Sequence, residues 1–120
     1  MAFRDSFFNC LDNTGVKKVK CLKIYKRNIS YPSALVLVTL KKVLPHRKVK
    51  KGQLYKGVVV RLVKSYLRFD ASMVKYYVNS IIILKKNELV PLGTRIYGSV
   101  FYEVRLKGFM KIVTLSLFLV

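Results

Sequence analysis

Acidic residues are scarce in this sequence: five Asp and Glu stand against 24 Lys and Arg in 120 residues, with a single histidine beside them. Catalysis needs positioned acids, bases or nucleophiles, and Asp5, Asp12, Asp70, Glu88 and Glu103 form no close pair along the chain. Asp12 and Asp70 sit in turn signals, where a carboxylate bonds its own downstream backbone. His46 has no carboxylate near it to orient the ring, so no catalytic residue is named and an enzyme is not expected. Cysteine is equally sparse. Cys10 and Cys21 flank the turn signal DNTG, and in a hairpin built on that turn Cys10 faces a residue near Lys17 to Val19 rather than Cys21, which argues against a disulfide. Two cysteines and one distant histidine also fall short of the four ligands of a zinc site, so neither a metal nor a cofactor is expected. Small core residues in a reducing compartment are the better reading of the cysteines.

Long apolar runs are missing too. The segments ALVLVTL and IVTLSLFLV are far shorter than the roughly 20 residues of a spanning helix, so no membrane insertion is expected. The opening MAFRDSFF carries an acid and no apolar h-region, and reads neither as a secretory signal nor as a transit peptide. What the chain does have is charge and apolar residues together. A net charge of +19 and a pI near 10.2 impose heavy self-repulsion, while a hydrophobic content of 52% is too high for a disordered basic tail. Soluble domains manage with net charges of roughly two to eight. A polyanionic partner is implied, and His46 then faces solvent or RNA.

The length predicts one domain over residues 1–120, with short strands as the main local signal. VKKVKCLKIY, SALVLVTLKKV, KGVVVRLVK, MVKYYVN and SIIILKK are rich in Val, Ile and Tyr and bounded by turn residues, which suggests an all-β small barrel. In the first of these, Lys18 and Lys20 lie on one face and Val19 and Cys21 on the other, with Lys23 and Tyr25 returning to the second face. From Val43 to Gly57 a proline, two glycines and six basic residues read as a loop or a projecting two-stranded ribbon. PLGTRIYGSV has the glycine spacing of a phosphate loop, but Ser99 stands where the lysine must be. It reads instead as a strand end, Thr94 to Tyr97, bounded by glycine turns, with Ser99 as N-cap of a helix ending at Gly108. KGFMKIV is a weak likeness to an RNA-binding strand motif, with Lys111 in place of the stacking aromatic.

The blocks DNTGVKKVKCLKI, VKKGQLYKGVVVRLVK, RFDASMVKYYVNSIIILKK, VPLGTRIYGSV and GFMKIVTL occur in an order that resembles the universal large-subunit ribosomal protein fourteen family, from about Phe8 to Leu115. Val49 to Gly52, Val58 to Arg61 and Gly93 to Ile96 carry the most specific part of the match. The resemblance implies a five-stranded β-barrel with a projecting ribbon, placed at about 43–57, and a short helical C-terminal region at 99–120. It also implies a structural protein of the large ribosomal subunit that binds large-subunit rRNA. Its partners would be neighbouring ribosomal proteins and, across an intersubunit bridge, small-subunit rRNA, and it would not be a homo-oligomer. A free single-strand-binding barrel, with Tyr55, Tyr66 and Phe69 as stacking platforms, is the rival from another class. The family's Asp-Gly-Ser turn is here Asp70-Ala71-Ser72, its Gly-Pro is Gly98-Ser99, its arginine before Glu103 is Tyr102, and its terminal Pro-Glu is Leu117-Phe118. The first opens that turn to remodelling, and the last gives an apolar end suited to a neighbouring protein.

The expected RNA contacts are Lys48, Lys50, Lys51, Arg61, Lys64, Arg68 and Arg95, joined by Lys23, Lys42, Arg47 and Lys111. The lysines serve as point charges and the arginines as bidentate or stacking groups. Abundant Lys, Tyr, Phe, Ile and Asn with little Ala, Gly or Pro is what an A+T-rich gene encodes. With no transit peptide in view, this points to a protein made inside an organelle, a mitochondrion ahead of a plastid or an A+T-rich bacterium.

Overall fold

Alternation and apolar runs in the sequence become strands wherever a neighbour completes the hydrogen bonding. The computed structural model describes residues 4–26, 29 and 31–120. In chain order these form β1 (Phe7–Cys10), β2 (Val16–Ile24), β3 (Leu35–Val43), β4 (Leu54–Arg61), β5 (Tyr66–Leu67), β6 (Met73–Val74) and β7 (Ser80–Ile83), followed by the helices α1 (Glu103–Leu106) and α2 (Met110–Leu115). A closed barrel runs β1-β2-β3-β4-β7, and β5 pairs with β6 in a separate ribbon. Neighbours in the barrel are antiparallel except β1 and β7, whose parallel pairing through Asn9↔Ser80 and Cys10↔Ile81 closes it. Closure leaves the barrel without a free edge.

Phe8, Val19, Cys21, Val36, Val38, Val59, Ile81 and Ile83 fill the barrel interior, joined by Phe101 from beyond the strands. A second core lies on the outside of one wall: Val58, Val60, Ile82 and Leu84 pack with Ile96, Val100, Val104 and Ile112. The runs GVVV and SIII are therefore buried on both faces, one set of residues pointing into each core. Gly57 allows a close approach within this wall, since a Cβ there would lie 2.9 Å from Ile81 Cδ1.

Several expectations from the sequence change in detail. Lys23 does not share a face with Val19 and Cys21, because a bulge between Cys21 and Lys23 shifts the register, turns Lys23 outward and buries Ile24. The stretch 43–57, read as a loop or a ribbon, takes the form of a loop between β3 and β4, with 54–57 inside β4. Buried Val49 pins it, and Gly52 N donates to Leu40 O (2.9 Å) while Leu44 N donates to Gly15 O (2.8 Å). The paired ribbon is β5–β6. MVKYYVN is a strand only at Met73–Val74, since Tyr76 turns in to meet Phe101 edge-on at 5.2 Å.

Ser99 caps no helix. The C-terminal segment claims the backbone here, with Val100 N donating to Phe118 O (3.2 Å) and Tyr102 N to Val120 O (2.9 Å), and α1 starts only at Glu103 with Tyr102 as its N-cap. Ser99 Oγ lies 3.2 Å from Tyr76 Oη instead. The other end of that helix follows the sequence. Gly108 has φ +86°, and Phe109 N and Gly108 N donate to Val104 O and Arg105 O, the double bond of a glycine-terminated helix. Thr94 to Tyr97 form no regular strand, only the bridge Asp12↔Ile96.

The turn at the ribbon tip keeps its left-handed residue although that residue is alanine: Ala71 has φ 67°. Asp70 Oδ1 accepts from Ser72 N (3.0 Å) and Ser72 Oγ (2.6 Å), which holds the turn and keeps the Asp70 carboxyl below its ordinary range. A left-handed alanine costs about 1–2 kcal/mol, more than the entropy that glycine adds to the unfolded chain. Ala71→Gly is therefore expected to raise stability by up to about 1 kcal/mol, read as a higher thermal midpoint. A lower midpoint would show that the turn is not strained.

Candidate nucleic-acid interface

Three connections meet at one end of the barrel: the β1–β2 turn, the β3–β4 loop and the chain from Lys85 to Tyr97. Asp12 organises the first. Buried, it accepts at Oδ1 from Thr14 Oγ1 (2.6 Å) and Cys10 Sγ (3.0 Å), while its Oδ2 has no partner among the described residues. Burial and this carboxylate push the Cys10 thiol far above its ordinary range, so it is an inert packing group. Cys10 and Cys21 are both free. Asn13 staples the turn to the third segment: its Nδ2 donates to Thr94 Oγ1 (2.9 Å), and its Oδ1 accepts from Thr94 N (2.9 Å) and Arg95 N (3.3 Å). Gly93 is the price of that contact, since a Cβ there would lie 2.7 Å from Asn13 Oδ1. Gly15, at φ +93°, has Arg47 laid across it, with Arg47 Cγ 2.5 Å from where a Cβ would stand.

The result is an open groove of about 660 Å³ whose lining includes His46, Arg47, Lys48 and Lys85, with no acid among them. Val49 supplies the reason the loop presents its cations. Its side chain is buried, so its neighbours Lys48 and Lys50 are left exposed on either side. The ion pairs among the described residues are Lys20–Asp5 and Arg68–Glu103, and neither draws on the groove.

The sequence-predicted contacts divide into three groups. Arg47 and Lys48 line the groove, Lys50 and Lys51 stand exposed on the same loop, and Arg95 is exposed beside Thr94 with its guanidinium 5.9 Å from the Tyr97 ring while Ile96 points inward. Lys42, Lys64 and Lys111 are exposed elsewhere, on β3, after β4 and on α2. Lys23 lies toward the far end of β2, where it and Lys56 sit 5.0 and 5.7 Å from the Tyr25 ring.

Arg61 and Arg68 form the third group, turned into the protein. Arg61 donates from Nε to Ser99 O (2.9 Å) and from a terminal nitrogen to Tyr97 O (3.0 Å), and stacks 5.2 Å from the Tyr76 ring. Gly98, at φ +83°, leaves the room that this guanidinium occupies. Arg68 holds both Glu103 oxygens (2.8 and 3.1 Å) and donates to Val120 O, fastening the ribbon to α1 and the chain end. Lys85 and Lys86 were absent from the expected contacts, although Lys85 lines the groove and Lys86 lies 5.3 Å from the Tyr55 ring. Their signal is the lysine pair directly after the run SIIIL.

The family model described as Ribosomal protein L14p/L23e matches residues 1–120, so the chain belongs to that family. The match covers more of the chain than the segment Phe8 to Leu115 that carries the resemblance in the sequence. That family is a structural, non-enzymatic one, and membership implies a protein of the large ribosomal subunit with rRNA and ribosomal proteins as its surroundings.

The inward arginines and the outward lysines respond differently to truncation. Arg68→Ala strands the half-buried Glu103 carboxylate and is expected to cost about 1.5–3 kcal/mol in denaturant unfolding. Lys64→Ala, on an exposed side chain, should stay within about 0.5 kcal/mol of the parent. Equal midpoints for the two variants would remove Arg68 as the fastening.

Proposed function

We propose that this member of the L14p/L23e family binds large-subunit rRNA through the phosphates, using the cationic end of the barrel as its principal contact. The observation that carries the reading is the groove and its loop: Arg47, Lys48, Lys50, Lys51, Lys85 and Arg95 converge there, exposed and without acidic partners among the described residues. So many like charges on so small a surface repel one another, and a phosphate backbone offsets that repulsion while releasing its counterions. Lys23, Lys42, Lys64 and Lys111 extend the basic surface around the barrel, whereas Arg61 and Arg68 serve the scaffold from which the contacts project.

On this reading the other surfaces face neighbours in the particle. The ribbon exposes Leu67, Phe69 and Met73, and the C-terminal segment exposes Leu117 and Phe118. These apolar groups suit adjoining ribosomal proteins, and the exposed flank beside them contributes to the subunit interface with small-subunit rRNA. The setting is a mitochondrial ribosome, supported by a composition with 8 Tyr and 7 Phe but only 6 Gly and 3 Pro. Recovery of the tagged chain in mitochondrial large subunits on sedimentation is the expected result, and its recovery only in plastid or bacterial particles would reject that setting.

Affinity of the purified chain for rRNA fragments should fall steeply with salt, with a log–log slope of about −0.7 to −0.9 per phosphate contacted. Changing Lys48, Lys50 and Lys51 together to Gln should make that slope shallower by about 2–3 while the thermal midpoint barely moves, because the buried Val49 is untouched. A salt-independent affinity would sink the phosphate reading, and a collapse in stability would show that the lysines serve the fold.

A further inference from the structure

The groove has a feature that phosphate contacts alone do not use. Its volume of about 660 Å³ falls in the range of about 300–1,000 Å³ typical of sites that enclose a small ligand. Part of its lining is apolar and aromatic, formed by Val49, Tyr55 and Leu92, while Arg47, Lys48 and Lys85 bring the charge. A duplex keeps its bases stacked and offers convex ridges of phosphate, so it meets the charged rim and leaves the apolar part of the concavity unfilled. An unstacked nucleotide meets both, with a flat apolar face on the base and a negative charge on each side of it.

The polar groups at the groove fit the edge of such a base. Asn13 spends one of its two amide hydrogens on Thr94 Oγ1 and its carbonyl on Thr94 N and Arg95 N. Among the described residues, its second amide hydrogen and the Thr94 hydroxyl hydrogen remain to donate. Two donors held by a fixed loop suit the acceptor edge of a base.

Resting on the rRNA-binding reading, we propose that this groove takes one unstacked nucleotide of single-stranded RNA, its base against Val49, Tyr55 and Leu92 and its flanking phosphates on Arg47, Lys48 and Lys85. Two fluorescein-labelled probes test it at one salt concentration: a 12-nucleotide single-stranded RNA and a blunt RNA duplex of the same length, titrated with the full chain and read by anisotropy. The single strand should bind about tenfold more tightly than the duplex, in keeping with the stacking of one base. Tyr55→Leu, which keeps apolar bulk, and Thr94→Phe, which fills the exposed mouth of the groove, should each reduce single-strand binding about tenfold and duplex binding less than about twofold. Circular dichroism melts of both variants, expected to stay cooperative, serve as the check that they remain folded. Equal affinity for the two probes, or equal losses on both in the variants, overturns the nucleotide site and leaves phosphate binding standing. Failure of the parent chain to bind either probe in a salt-dependent way removes the rRNA reading and the site with it.

Discussion

The pairing of β4 with β7 is the wall on which the rest of the molecule depends. Gly57↔Ile83, Val58↔Ile82 and Val59↔Ile81 set its register, and each valine and isoleucine commits its side chain to one of two cores. Val59, Ile81 and Ile83 face the barrel interior, while Val58, Val60 and Ile82 carry the C-terminal region on the outside. Slipping this register by one residue would exchange the two sets and spoil both cores at once. Short helices such as α1 and α2 are marginal alone and draw their stability from packing Val104 and Ile112 onto that wall.

The same wall explains why the charged end can be built from loops. Backbone hydrogen bonds and one buried side chain fix each connection: Val49 for the β3–β4 loop, Asp12 for the β1–β2 turn and Ile96 for the segment beyond Gly93. Val49 and Ile96 point inward and leave Lys48, Lys50 and Arg95 outside, so these cations are positioned by apolar burial more than by one another. Folding therefore concentrates like charge, at a cost in self-repulsion that a polyanion relieves. In a ribosomal protein the partner that completes the electrostatics is the particle into which it assembles.

Much of this was legible in the sequence. Alternation in VKKVKC gave the faces of β2 up to Cys21, and Arg95 and Ile96 take the outward and inward positions that their order implies. The family resemblance supplied the barrel count. The misreadings share a cause, which is tertiary hydrogen bonding that overrides a local signal. A bulge shifts Lys23, and the C-terminal segment claims the backbone around Ser99, while burial of Val49 favours the loop of the two forms open to the basic stretch and YLRFDASMV forms the ribbon. The apolar runs VVV and III did carry the mark of strands buried twice, since neither alternates.

Arginine was the least legible residue type. Arg61 and Arg68 stand among cations in VVVRLVKSYLRF, and nothing local separates them from Arg47 or Lys64. What separates them is the acceptors that the fold brings from more than thirty residues away: carbonyls of Tyr97 and Ser99 for one, Glu103 for the other. A planar guanidinium with five donors can satisfy several carbonyls at a half-buried junction, where a lysine would leave some of them unpaired. Arginine at such junctions and lysine on the free loop therefore perform opposite tasks with the same charge. One holds the chain to itself, and the other stands exposed at the surface.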